Sequence, residues 1–125
     1  MRLLLDTHVF LWAVSGSRKL NARTRKTLES ASAVFVSAAS IWEIAIKARL
    51  GKLQADPAAL LEAIDASGFI ELSVTARHAA KVAELPDLHP DPFDRLLVAQ
   101  AICEPFLLVT ADTSLAGYGD AVRVL

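Results

Sequence analysis

Short apolar runs recur along this chain at intervals that leave room for a helix between each pair, and that spacing restricts the fold more than any other feature. Leu3-Leu4-Leu5, Val34-Phe35-Val36, Phe69-Ile70-Glu71-Leu72, Phe106-Leu107-Leu108-Val109 and Val122-Arg123-Val124-Leu125 are the five runs. They lack the sustained two-residue alternation of a half-exposed strand, and read as strands buried on both faces. Helical punctuation fills the gaps. Asn21 can cap a helix over 22–32, and Thr75 one over 76–84. Residues 38–50 read as a helix ended by Gly51. Asp56-Pro57 and Asp91-Pro92 each place a cap before a proline at the first helical position. Gly68 ends the first of these two helices, and Pro105 stops the second, which runs over 92–103. Strands alternating with helices predict an α/β fold, with helices on both faces of a parallel sheet.

With 125 residues, one domain over 1–125 is expected. Apolar residues make up 54% of the chain, which suits a doubly covered sheet or apolar surface kept for a partner. The net charge of -1 excludes a global basic field, so any nucleic-acid site must be a local patch. A single cysteine, Cys103, excludes an internal disulfide and a cysteine metal cluster, and is expected as a small core residue. The N-terminal apolar run is broken by Asp6 and is too short for a signal peptide. The longest uncharged window, residues 30–42, is too short to span a bilayer. A soluble, cytoplasmic protein is expected.

In open parallel sheets, ligands bind beyond the carboxyl ends of the strands. Asp6 ends the first strand, Asp112 lies just past the fourth, Glu43 falls early in the helix after the second, and Asp94 lies in the first turn of the helix feeding the fourth. Carboxylates gathered at one edge repel unless a cation neutralises them. Oxygen-only ligand sets suit Mg²⁺, and a phosphodiester suits one or two such ions. Each acid also has a structural reading. Ser40 and Glu43 have capping-box spacing, Asp94 favours the helix dipole, and Asp112 can open a turn at Thr113-Ser114. Asp6 is the hardest to explain this way, because it directly follows three leucines.

Asp91 reads as the N-cap and Asp94, on the turn it caps, as the metal-directed acid. His89 precedes Asp91 and is placed to touch substrate; His8 follows Asp6; His78 is expected to face solvent. Arg18, Lys19, Arg23, Arg25 and Lys26, with Lys47, Arg49 and Lys52, are either solvated helix faces or a local path for a phosphate backbone, with Arg95 beside Asp94 nearest the metal. There is no glycine-rich phosphate loop and no serine nucleophile elbow.

Four segments, LLLDTHVFLW, VSAASIWEIAIKARLGKL, LPDLHPDPFDRLLVAQA and LLVTAD, resemble in order the PIN-domain ribonucleases, and more narrowly the VapC-type toxins of bacterial toxin–antitoxin pairs. The resemblance spans essentially the whole chain. It implies a three-layer α/β/α fold around a parallel sheet of about five strands, and a Mg²⁺- or Mn²⁺-dependent endoribonuclease using one or two ions. The acidic site it implies falls on Asp6, Glu43, Asp94 and Asp112, with Asp91 as an additional acid and Thr7 and Thr110 as hydroxyl supports. It further implies cleavage to a 5′-phosphate and a 3′-hydroxyl, a homodimer, and a small antitoxin that blocks the site, often with an arginine. Two other classes fit the residues less well. A receiver-like signalling module needs paired acids after the first strand and a lysine after the fifth, and a phosphatase of the haloacid dehalogenase type needs an aspartate where His8 stands. A non-catalytic PIN scaffold is the third alternative, and the intact acid set argues against it.

Overall fold

Leu3, Leu4 and Leu5 are all fully buried, and they lie on opposite faces of one sheet. In the computed structural model, which describes residues 1–125, β1 (Arg2–Leu5) is the central strand. It pairs in parallel with β2 (Ala33–Ser37) on one side and β4 (Leu107–Thr110) on the other. β3 (Ile70–Leu72) and β5 (Val122–Val124) complete a wholly parallel five-stranded sheet in the order β3-β2-β1-β4-β5. The order reverses between β1 and β4, so the crevice of a doubly wound sheet opens there, beyond Leu5 and Val109.

The side-chain period of two sends Leu3 and Leu5 to one face and Leu4 to the other. On the first face they meet Val9 and Phe10 of α1 (Thr7–Ser15), Ile44 of α3 (Ala38–Arg49), and Leu60 and Ile64 of α4 (Pro57–Ala66). Leu28 of α2 (Ala22–Ser30) packs on the same cluster. On the second face Leu4 and Leu108 pack with Leu97, Val98 and Ala101 of α6 (Pro92–Cys103) and with Leu115; α5 (Ala76–Lys81) lies against α6. This is the expected three-layer α/β/α arrangement. No helix is long and apolar enough to cross a membrane.

Most expected helix starts are observed. Asn21, Asp56, Thr75 and Asp91 each cap their helix through the side chain. Four details differ. The capping box expected at Ser40 and Glu43 does not form, because β2 runs into α3 without a loop and Ser37 is the cap, its Oγ accepting from Ala39 N at 3.0 Å. The helix expected over 76–84 is α up to Lys81 and 3₁₀ over Val82–Glu84. His78 is buried rather than solvent-facing: its Nδ1 accepts from Thr75 N at 3.1 Å, taking the part usually played by Glu or Gln in a capping box, while Nε2 pairs with Glu104. Cys103 is only partly buried, at the end of α6, rather than in the core.

Candidate active site

Three acids reach the edge of the sheet as caps. Asp6 leaves β1 and caps α1, its Oδ1 accepting from His8 N at 2.8 Å and Val9 N at 3.3 Å. Asp91 caps α6, accepting from Phe93 N at 2.8 Å and Asp94 N at 3.1 Å. Asp112 follows β4 and caps the 3₁₀ turn Thr113–Tyr118, accepting from Ser114 N at 2.9 Å and Ser114 Oγ at 2.6 Å. Glu43 projects from the middle of α3, and Asp94 from the first turn of α6. All five line one cleft of about 300 Å³, together with Thr7, His8, Trp12, Lys47 and Ala111. A larger, more open hollow of about 750 Å³ lies around Arg2 and Phe106, at the opposite ends of the strands, and holds Asp120 as its lone acid.

The two threonines fasten the acids from behind. Thr110 is fully buried; its Oγ1 donates to Asp6 Oδ2 at 2.5 Å and accepts from Asp112 N at 3.0 Å. Thr7 Oγ1 donates to Glu43 Oε1 at 2.7 Å and lies 3.1 Å from Ser40 Oγ. Hydroxyls placed this way fix a carboxylate while leaving lone pairs free for a further partner.

His89 lies deeper in the arrangement than its loop position suggested. Its Nδ1 accepts from Asp91 N at 3.2 Å, so Nε2 carries the proton and faces Asp112 Oδ2 at 3.2 Å and Asp94 Oδ2 at 3.7 Å. One ligand atom from each of His89, Asp94 and Asp112 falls within 4.8 Å of the other two. Arg95 is not where the sequence reading put it. Its guanidinium donates to Pro86 O, Val82 O and Tyr118 Oη, tying the 82–88 segment to α6 and the 3₁₀ turn rather than facing the acids.

The cleft is under electrostatic load. Burial, then the charges of Asp91, Asp6 and Glu43, push the Asp94 carboxyl up to about 7, with His89 opposing. No donor reaches hydrogen-bonding distance of that carboxylate. Asp112 moves the other way, held below the usual range by its bonds from Ser114 and by His89. Lys47 is held above its ordinary value, first by its bond to Glu43 and further by the charges of Asp91 and Asp94. Crowded, hard oxygen donors with one carboxylate left without a donor are the chemistry a divalent cation satisfies, so the donor set fits Mg²⁺ or Mn²⁺. Lys47 was read from the sequence only as part of a basic patch. Its place four residues after Glu43 on one helix was the signal that it would reach that carboxylate.

The model of the PIN domain family matches residues 3–120. Ribonuclease VapC22 of Mycobacterium tuberculosis is 32% identical over 118 residues, covering 93% of this chain and 91% of the relative. Among solved structures, VapBC2 from Rickettsia felis bound to a promoter DNA fragment superposes with a TM-score of 0.71 at 16% identity, covering 100% of this chain and 98% of the other. VapC20 of Mycobacterium tuberculosis, described as a toxin cleaving the sarcin-ricin loop, superposes with a TM-score of 0.59 at 20% identity over 97% of this chain and 98% of its own.

Proposed function

This chain belongs to the PIN-domain family and resembles a VapC ribonuclease over nearly its whole length; from that premise we propose that it is a divalent-metal-dependent endoribonuclease, the toxin of a toxin–antitoxin pair. The observation that carries the reading is the single cleft at the β1/β4 switch point, into which Asp6, Glu43, Asp94 and Asp112 converge from four separate segments. A receiver-like module would need paired acids after β1, where Asp6 stands alone.

In this reading Asp6, Asp94 and Asp112 hold the cation, Mg²⁺ or Mn²⁺, and Glu43 binds it or orients the attacking water. The bound ion supplies what the chain lacks, a lowered pKa for water and an offset for charge developing on the phosphate. Asp91 keeps the first turn of α6 rigid, which fixes Asp94. Thr110 holds Asp6, and Thr7 holds Glu43. His89, donating from Nε2, limits the repulsion between Asp94 and Asp112. Water oxygen attacks phosphorus in line and the 3′ oxygen leaves, giving a 5′-phosphate and a 3′-hydroxyl. The proposed setting is the cytoplasm.

A second groove, of about 470 Å³, shares His8 and Trp12 with the acid cleft and is walled by Leu11, Val14, Leu53 and Leu60. A segment of antitoxin lying along that apolar groove would reach the carboxylates, which supports occlusion as the means of inhibition. Trp42 and Ile46 of α3 and Leu50 at its C-cap are exposed at four-residue intervals, apolar surface suited to a homodimer contact.

The direct test is purified protein on a mixed RNA pool, with cleavage products mapped by end chemistry. Cleavage is expected with Mg²⁺ or Mn²⁺, to be lost in EDTA and restored on re-addition, leaving 5′-phosphates. Cleavage that persists in EDTA, or 2′,3′-cyclic phosphate ends, would reject the mechanism. Thr110→Val should lower kcat/KM about 10- to 100-fold, because the Asp6 carboxylate loses the bond that orients it. Initial rates within twofold of wild type would remove Thr110 from the site.

A further inference from the structure

Glu43 differs from the other acids of the cleft in how far the protein itself satisfies it. It is 3% exposed, and each of its oxygens has a donor: Thr7 Oγ1 at 2.7 Å from Oε1, and Lys47 Nζ at 2.7 Å from Oε2. Asp94 is the opposite case, with His89 Nε2 its nearest nitrogen partner at 3.7 Å. Lys47 is also the sole lysine or arginine lining a cleft that holds five carboxylates. It sits in the last turn of α3, where the helix dipole favours a cation, and Leu50 and Gly51 end the helix just beyond it.

On an exposed helix an i,i+4 Glu–Lys pair contributes little. Here one partner is buried, and its neighbours are the carboxylates at which a divalent ion would bind. A fixed positive charge at that place has two effects of opposite sign. It holds Glu43 in one orientation, and it repels any further cation entering the same field.

We propose that Lys47 is a tethered counter-cation of the cleft, a positioning residue that orients Glu43 by direct ion pairing and, by its own charge, weakens the binding of the divalent ion. In the ion-free protein it offsets part of the carboxylate repulsion. When the divalent ion is present, Lys47 continues to hold Glu43 on the side away from Thr7. The inference rests on the nuclease reading above and adds to it a residue that sets ion affinity against catalytic rate.

The test uses the full chain, stripped of metal, in wild-type, Lys47→Gln and Lys47→Arg forms, with the fold of each checked by circular dichroism. Mn²⁺ is titrated calorimetrically, and single-turnover RNA cleavage is measured at saturating Mn²⁺. Lys47→Gln is expected to bind Mn²⁺ about tenfold more tightly, since a nearby positive charge is gone. It is also expected to cleave about tenfold more slowly, since Glu43 loses the partner on Oε2. Lys47→Arg keeps the charge and should bind within about twofold of wild type. Should Lys47→Gln fail to fold, Lys47→Met serves for the same comparison. Unchanged or weaker Mn²⁺ binding in the neutral variant overturns the counter-cation role, and unchanged cleavage overturns the positioning role. If wild type binds Mn²⁺ and cleaves RNA while the variants do not differ from it, this inference alone fails. If wild type neither binds Mn²⁺ nor cleaves RNA, the nuclease reading fails and takes this inference with it.

Discussion

Replacing Asp94 by asparagine is expected to lower metal-dependent RNA cleavage by at least about a hundredfold, and at the same time to make the metal-free protein more stable at pH 8. The loss follows from removing a charged oxygen ligand. The gain follows from the load on that carboxyl, which burial and then Asp91, Asp6 and Glu43 push up to about 7. The folded chain therefore holds this proton more tightly than the unfolded chain, whose carboxyl titrates near 4. Its contribution to stability is fully present below about pH 4 and is lost as the pH rises through about 7. Asparagine stays neutral throughout. The expected result is a higher Tm than wild type in EDTA at pH 8, a difference that shrinks towards pH 5. Adding Mn²⁺ at pH 8 should raise the Tm of wild type more than that of the variant. A variant that still cleaves, or that melts below wild type at pH 8, would show that Asp94 is not the loaded acid of the site.

The second large effect concerns the sheet that carries the acids. Leu4→Ala is expected to destabilise the protein by about 3 kcal/mol, with a fall in Tm of roughly 10 °C. Leu4 is fully buried on the central strand, between Phe35 of β2 and Leu108 of β4, and its side chain lies among Leu97, Val98, Ala101 and Leu115. That face is bounded by α6 and by a sheet paired on both sides of β1, so it has little freedom to collapse onto the space left. Chemical denaturation with an unchanged m-value would read the loss directly. A loss below about 1 kcal/mol would mean that α6 settles into the gap.

Much of this was legible because backbone rules act locally. Three leucines followed by Asp6 announce a strand buried on both faces that ends in a carboxylate, and Asp91-Pro92 announces a capped helix with Asp94 on its first turn. The strand ends and the helix starts together predicted where the acids would meet. What the sequence hid was side-chain direction. Arg95 adjoins Asp94, yet one step along a helix turns a side chain by about 100°, and the guanidinium points to carbonyls of the 82–88 segment. Ser40 and Glu43 have capping-box spacing, but a helix that starts at residue 38 leaves Ser40 inside it, and Ser37 is the cap. His78 looked like a surface residue because a histidine in the third position of a capping box is an uncommon substitute for Glu or Gln. His89 was placed correctly in its loop, but its contact with Asp112 joins residues 23 positions apart, and only the closed sheet edge sets it.

The bond from Thr110 to Asp6 spans 104 positions of the chain. Of the residues that build the cleft, Asp6 is made first and Thr110 and Asp112 last. The central strand cannot acquire β4 as its neighbour until residues 107–110 have been synthesised. A cleft of this topology thus stays incomplete until β4 docks, even though its first acid is made 104 positions before Thr110. Under the nuclease reading, cleavage waits on the docking of β4, and an inhibitor of the cleft has nothing to occlude before then.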